Sequence, residues 1–363
     1  MSFAIKCLVL FISIVSLTSA IENRHKTLES WQAVTLKNDH FTTTNQTQVY
    51  ALNTELFSDY ALKFRTITLP KNRSILWDGQ QLTFPIGTLL TKTFYYAVDL
   101  QGHVIAKPLK QRLKRVTAIN LNQHRLLETR LLQLTPDGWQ AFSYLWNDRV
   151  NTPSILGEEV KLTIQHIDTT YETFNYFIPD INQCQQCHVK NTAKNQMQPL
   201  GFSPTFLNSE FFSQAVIHQN KSTSELTASI TPFIKKMSSS DLTPSIYADD
   251  LENSARRYLS INCSHCHNPQ GSAQNINISL DYFERSLYNV GLCKTPVTYA
   301  LPEKTTRIIW PGHAERSMLL WRLQSQEPSL MMPELGRALV DHAGVTLINR
   351  WISRIDLSCQ AFH

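Results

Sequence analysis

Apolar and polar residues alternate along VKLTIQHI at 160–167, where Val160, Leu162 and Ile164 share one side, and along TFNYFI at 173–178, where Phe174, Tyr176 and Ile178 do. A period of two belongs to a strand with one buried face, and Asp168 to Thr170 between the runs supplies a hairpin connection. The same character extends from about residue 82 to 178: TFPIGTLLTKTFYYAV and RLLETRLLQLTPDGWQAFSYLW are rich in β-branched and aromatic residues, and Pro136-Asp137-Gly138 provides a turn. This region is predicted to be antiparallel sheet. Between about 190 and 247 the composition turns to Ser, Thr, Asn and Pro, which reads as linker with short helices.

The period then changes. DDLENSARRYLSINC places Leu251, Ala255, Tyr258 and Leu259 on one helical stripe, with Asp249 or Asp250 as cap; further helices are predicted at 315–324 and 341–355. The fold class expected is α+β and multidomain, with a β-rich N-terminal domain over 21–180, a segment at 181–244, and an all-α domain over 245–363. Residues 1–20 are set apart. Lys6 precedes an apolar run from Leu8 to Leu17 that ends on Thr18-Ser19-Ala20, the pattern of a secretory signal peptide. No later window is apolar enough to cross a bilayer, so no transmembrane segment is expected after signal removal, and the address expected is periplasmic.

Charge adds little. The formal +5 falls to +4 when Lys6 leaves with the signal, too mild a balance to imply nucleic acid. The one dense basic run, KPLKQRLKR at 107–115, is read as a solvated loop.

Cysteine changes the picture. Of 7 Cys, Cys7 lies in the signal, and Cys184, Cys187, Cys263 and Cys266 fall in two Cys-x-x-Cys-His runs ending on His188 and His267. Cys293 and Cys359 remain, and in an oxidising compartment they are expected to pair. Cysteines at i and i+3 share one face of a helical turn. There each thiol can add across one vinyl group of a porphyrin, the sulfur bonding to one carbon and the proton going to the other, to give two thioethers. A His directly behind the second Cys then meets the iron. Cys-x-x-Cys-His is the signature of haem c attachment, and two copies predict two covalently bound haem c groups with iron. A four-thiolate zinc site would leave both His unexplained. A thioredoxin-like use would need a βαβ context that the second motif lacks.

Sixth ligands are less evident. For the second haem, LMMPELG at 330–336 offers Met332, preferred over Met331, in a Pro-bounded loop. For the first, Met197, His166, His218 and Met237 are open, as is an iron without a protein ligand on that side. His265 and His313 are read as surface residues.

Helix, attachment motif, loop, Met and closing helix together resemble a class I cytochrome c domain, which implies that the first and last helices cross, with Tyr258 and Trp351 at the contact. Over the longer span, LNTELFSDYALKFR, FPIGTLLTKTF, LLETRLL, YLWN, NQCQQCH, NCSHCHNP and MMPELGRALVD resemble a family of bacterial exported dihaem c-type cytochromes with a β-rich N-terminal region. The resemblance implies haem binding and single-electron transfer with an unidentified redox partner protein. The alternative is a dihaem peroxidase-like oxidoreductase whose first haem can open. No Ser-His-Asp pattern or phosphate-cradling loop is present, and no catalytic acid or base is assigned.

Overall fold

The computed structural model describes residues 27–77, 81–207, 216–218, 251–297 and 306–362. The signal segment, the 245 boundary, Met237 and the Asp249/Asp250 cap lie outside them, as does the side chain of His218. Among the described residues the strands are β1 (Val34–Lys37), β2 (His40–Thr43), β3 (Thr47–Tyr50), β4 (Leu62–Thr68), β5 (Ile75–Trp77), β6 (Leu82–Thr83), β7 (Leu89–Val98), β8 (Val104–Ile105), β9 (Ala118–Asn120), β10 (His124–Thr135), β11 (Gly138–Asn147), β12 (Val150–Pro153), β13 (Glu158–Gln165), β14 (Tyr171–Ile178) and β15 (Val216–His218). The helices are α1 (Leu109–Arg112), α2 (Ile181–His188), α3 (Leu251–Cys263), α4 (Leu287–Val290), α5 (Met318–Gln324) and α6 (His342–Ser353).

A nine-stranded sheet runs β12-β11-β10-β7-β8-β13-β14, with β4 also on β7 and β3 on β4. It curls into a half-barrel. The predicted hairpins form: Thr135 pairs with Gly138 at the Pro-Asp turn, and Gln165 with Tyr171 beyond Asp168–Thr170. Alternation assigns the faces. Leu62, Phe64, Leu89, Tyr95, Leu131 and Tyr144 join a core with Phe41 and Leu28 on one side. Phe94, Tyr96, Leu162, Phe174 and Tyr176 form a second core on the other. A bulge between Leu126 and Glu128 lets Leu126 and Leu127 serve opposite faces.

The expected all-α class I cytochrome c-like domain is not what forms over 245–363. Among the described residues there, only α3 and α6 exceed two turns; α4 spans one turn and α5 about two. Between α3 and α5 the described chain runs in turns, short 3-10 segments and parallel bridges, Leu292 to Ile309 and Arg307 to Ser317. The reason is local: HNPQGSAQNINIS after Cys266 is Asn-, Gln- and Ser-rich, with no 3.6-residue stripe to bury. Helices α3 and α6 do pack together. A Cβ on Gly344 would sit 2.2 Å from the Tyr258 hydroxyl, and Tyr258 and Trp351 share one core with Ile278, Ile308 and Ile309.

This C-terminal part also borrows from the sheet side. Residues 51–61 form a wedge between them. Phe57 N–H donates to Asn262 Oδ1 at 2.9 Å, while Asn262 Nδ2 donates to the carbonyls of Glu55 and Tyr258, both at 3.0 Å. Asp59 Oδ1 accepts from the N–H groups of Ala338 and Leu339 at 2.7 and 2.8 Å, and the Tyr60 hydroxyl donates to Val340 O at 2.7 Å. The basic run corrects in part: Arg112 is not solvated but buried, 2.6 Å from Glu55, which also faces Lys63 at 3.6 Å. An amphipathic one-turn helix, α1, swings Arg112 inward while Lys110, Lys114 and Arg115 stay exposed.

Candidate functional site

Strand β14 delivers the chain directly to the first motif. Asp180 accepts from Gln183 N at 2.9 Å and the Gln183 side chain accepts from Asp180 N at 2.9 Å, a capping box that starts α2. The chain leaves β14 at Ile178 and is helical from Ile181. The motif itself is helical, with Cys184 and Cys187 on one face and His188 in the last turn. Cys184 is buried beside a cleft of about 410 Å³ lined by Ile181, Ala141 to Tyr144 and Pro153 to Ile155. Burial pushes the Cys187 thiol up to about 11, with the nearby Cys266 adding to the effect.

His188 is held from behind. Its Nδ1–H donates to Gln198 O at 2.7 Å while Gln198 N–H donates to His188 O at 2.8 Å. Burial drives its pKa down to about 3, so the ring is neutral with Nε2 as its free lone pair. A backbone carbonyl on the rear nitrogen is the outer support that metal-bound imidazoles use. It also ties the backbone next to Met197 to the Nδ1 edge, away from Nε2. His166 is spoken for elsewhere, its Nε2 2.9 Å from Glu172 and its ring against Tyr60.

The second motif closes a long helix. Cys263 ends α3, and the N–H groups of Cys266 and His267 donate to Cys263 O at 3.2 and 2.9 Å, continuing the turn. The chain then doubles back so tightly that a Cβ on Gly271 would lie 2.1 Å from Cys266 O, a place only glycine fits. Burial raises Cys263 to about 12 and lowers His267 to about 4. His267 Nδ1 is buried with no hydrogen-bond partner among the described residues.

The 330–340 loop comes to this motif. Arg322 acts electrostatically on His267, Glu334 on Cys266 and Arg337 on Cys263. Met332 lines a cleft of about 300 Å³ with Tyr258 and Asn262 of α3, Phe57 and Arg337, whereas Met331, 9% exposed, is not part of that lining. Arg337 fixes the loop by donating to the carbonyls of Arg322, Ser325, Met332 and Leu339 at 2.9 to 3.2 Å.

The fold brings the two motifs together, which no spacing in the chain announces. Cys266 Sγ–H donates to Gln186 O at 3.8 Å, Thr192 N–H donates to Gln270 O at 2.9 Å and Asn191 Nδ2 to Gln270 Oε1 at 2.9 Å. His265, expected at the surface, is 8% exposed, with an unpartnered Nδ1, and acts on His188 across this seam. The helical turn that turns Cys263 and Cys266 one way turns Ser264 and His265 into a cleft with Lys190 and Phe202. His313 stays on the surface, its side chain 51% exposed.

Fit can be judged on the donors themselves. Cys293 and Cys359 are joined in a disulfide, while all four motif cysteines are free thiols. The four sulfurs do not form a closed zinc cage: among the described residues no group of three or more Cys, His, Asp or Glu is placed to hold an ion. Each site instead offers two same-side thiols and a neutral imidazole, the set that a twice-linked haem requires. Also among the described residues, no helix is long and apolar enough to cross a membrane. Compared with protein-family models, curated proteins and solved structures, the chain matches none.

Proposed function

We propose that the protein is an exported, periplasmic dihaem c-type cytochrome that passes single electrons between redox partners. The observation that carries the reading is the pair of Cys-x-x-Cys-His turns, each presenting two free thiols and a neutral His, docked against one another. When bound, each haem supplies an iron that takes up and gives back one electron without bond rearrangement. The chain's part is to hold and tune. Cys184 and Cys187, then Cys263 and Cys266, fix the porphyrins; His188 and His267 offer Nε2; Met332 sits in a loop braced by Arg337. The Cys293–Cys359 bond supports an oxidising compartment.

The test is protein matured by a cytochrome c assembly system, read by intact mass and pyridine haemochrome spectrum. Two added porphyrins are expected, falling to one in C184A/C187A; a colourless chain of unmodified mass overturns the proposal. Replacing Met332 by Ala is expected to lower one midpoint potential, since a Met thioether available to a haem iron would raise it. A second reading, a peroxidase-like enzyme with an openable first haem, is favoured by the backbone at Met197 being tied to the rear of His188. Peroxide-dependent oxidation of the reduced protein would select it; absence of turnover with both irons six-coordinate would dismiss it.

A further inference from the structure

Across strands β4, β7 and β10, the register places Arg65 directly opposite Lys92, and Lys92 directly opposite Arg130. Like charges facing each other across strands destabilise a sheet. Here the row is also largely withdrawn from water: Arg65 is 6% exposed and the Arg130 side chain 24%. It separates two apolar patches on one face, Ile67, Leu90 and Leu132 on one side and Phe94, Tyr96 and Tyr176 on the other.

The anions in reach are already committed. Glu128 accepts from Arg130 through both oxygens, at 2.7 and 2.6 Å, and from the Tyr176 hydroxyl at 2.6 Å. Glu55 is taken by Arg112 and Lys63. Among the described residues Arg65 and Lys92 have no salt-bridge partner, and Lys92 meets only the ring of Phe94, 5.0 Å from its centroid. Burial, then Arg130, Arg65 and Lys63, press the Lys92 ammonium well below its ordinary value. A buried Arg65 and a half-buried Lys92, whose nearest carboxylates Glu55 and Glu128 are already shared with other cations, are costly to hold unless a further anion comes to them.

The first attachment motif adjoins the Arg130 end of this row: Cys184 lines a cleft with Ser143, the register partner of Arg130. Lys92 and Arg130 both act on Cys184, Cys187 and His188. A haem c has two negative groups, its propionate carboxylates. We propose that Arg65 and Lys92, with Arg130 beside them, are the anchor for the two propionates of the haem linked at Cys184 and Cys187. The inference rests on the haem reading above and adds what that reading leaves out: why the face of β7 that carries Leu90, Phe94 and Tyr96 has a lysine in its middle.

The experiment uses the matured dihaem protein in a spectroelectrochemical titration, with the first haem's potential assigned by its loss in C184A/C187A. Reduction adds one negative charge, so removing a nearby cation disfavours the reduced form. Lys92→Met and Arg65→Gln are expected to move the first potential to lower values, Lys92→Glu further, and Lys92→Arg to leave it near wild type, with the second potential unmoved throughout. Both haems attached, with the first potential unchanged in Lys92→Met and Arg65→Gln, or with both potentials shifted alike, overturns the anchor. Absence of haem at Cys184 in the wild type overturns the function instead, so the two failures are distinct.

Discussion

The motif at Cys184 rides on an eight-residue helix started by a side-chain cap at a sheet edge, whereas that at Cys263 closes a thirteen-residue helix with Ala255, Leu259 and Cys263 in a core. One pentapeptide pattern is thus positioned by two kinds of support. The first is placed by local hydrogen bonds and surrounded by charge; the second is placed by packing and by Asn262, which stitches it to the 51–61 wedge. The lesson is that the chemistry needs only the i, i+3, i+4 arrangement, while stability and electrostatics come from whatever the arrangement is built on.

Breaking the second support should show the largest effect. Asn262→Ala leaves Phe57 N–H and Glu55 O buried without partners and is expected to cost about 3 kcal/mol in denaturant unfolding. Loss of less than about 1 kcal/mol would mean that water replaces the amide. Next comes Gly271→Ala, whose Cβ would collide with the Cys266 carbonyl; a cost of about 2 kcal/mol is expected, with a disturbed second-haem spectrum and an undisturbed first. Asp180→Ala, which removes the cap of α2, should cost about 1 kcal/mol and leave the second site's spectrum as it was.

The smallest effect is a pH slope shared by both motifs. Burial holds His188 near 3, and His265 and His267 near 4, against 6.5 when free, so the unfolded chain binds more protons between those limits. The stability they allow is complete above 6.5 and drains as pH falls toward 3–4. Asp59, raised to about 6 by burial, works the opposite way, losing stability as pH rises from 3.8 through 6. For the chain before haem attachment, a urea midpoint that drops on acidification from about pH 7.5 to about pH 5, less steeply in His265→Gln, is the expected result. A midpoint that climbs instead would show that Asp59 outweighs the histidines.

How legible was this in the chain? Both hairpins were, because alternation and a Pro-Asp-Gly turn act over neighbouring residues. So were α3, α5 and α6, whose apolar stripes have the helical period. That the C-terminal part is not an all-α domain was not legible: periodic segments at 251–263 and 341–355 say nothing of the Asn- and Ser-rich chain between them. Register is also invisible from one strand alone, so Lys92 read as a strand residue and not as the middle of a row with Arg65 and Arg130. The burial of Arg112 depends on Glu55, 57 residues away, and the burial of His265 on a segment that follows the other motif. What could have hinted at them was a charge at an inward position in an apolar strand, as with Lys63 and Arg65 in LKFRTIT.

The Cys293–Cys359 bond has a consequence for biogenesis. Taken from the N-terminus after Cys7, the six thiols form three consecutive couples, and the native disulfide is the last of them. Under the proposed export, an oxidant that joins cysteines in their order of emergence would make Cys184–Cys187, then Cys263–Cys266, then the native bond, and never a scrambled link. A reductant need open only two short loops to ready the chain for porphyrin, while the C-terminal staple stays shut.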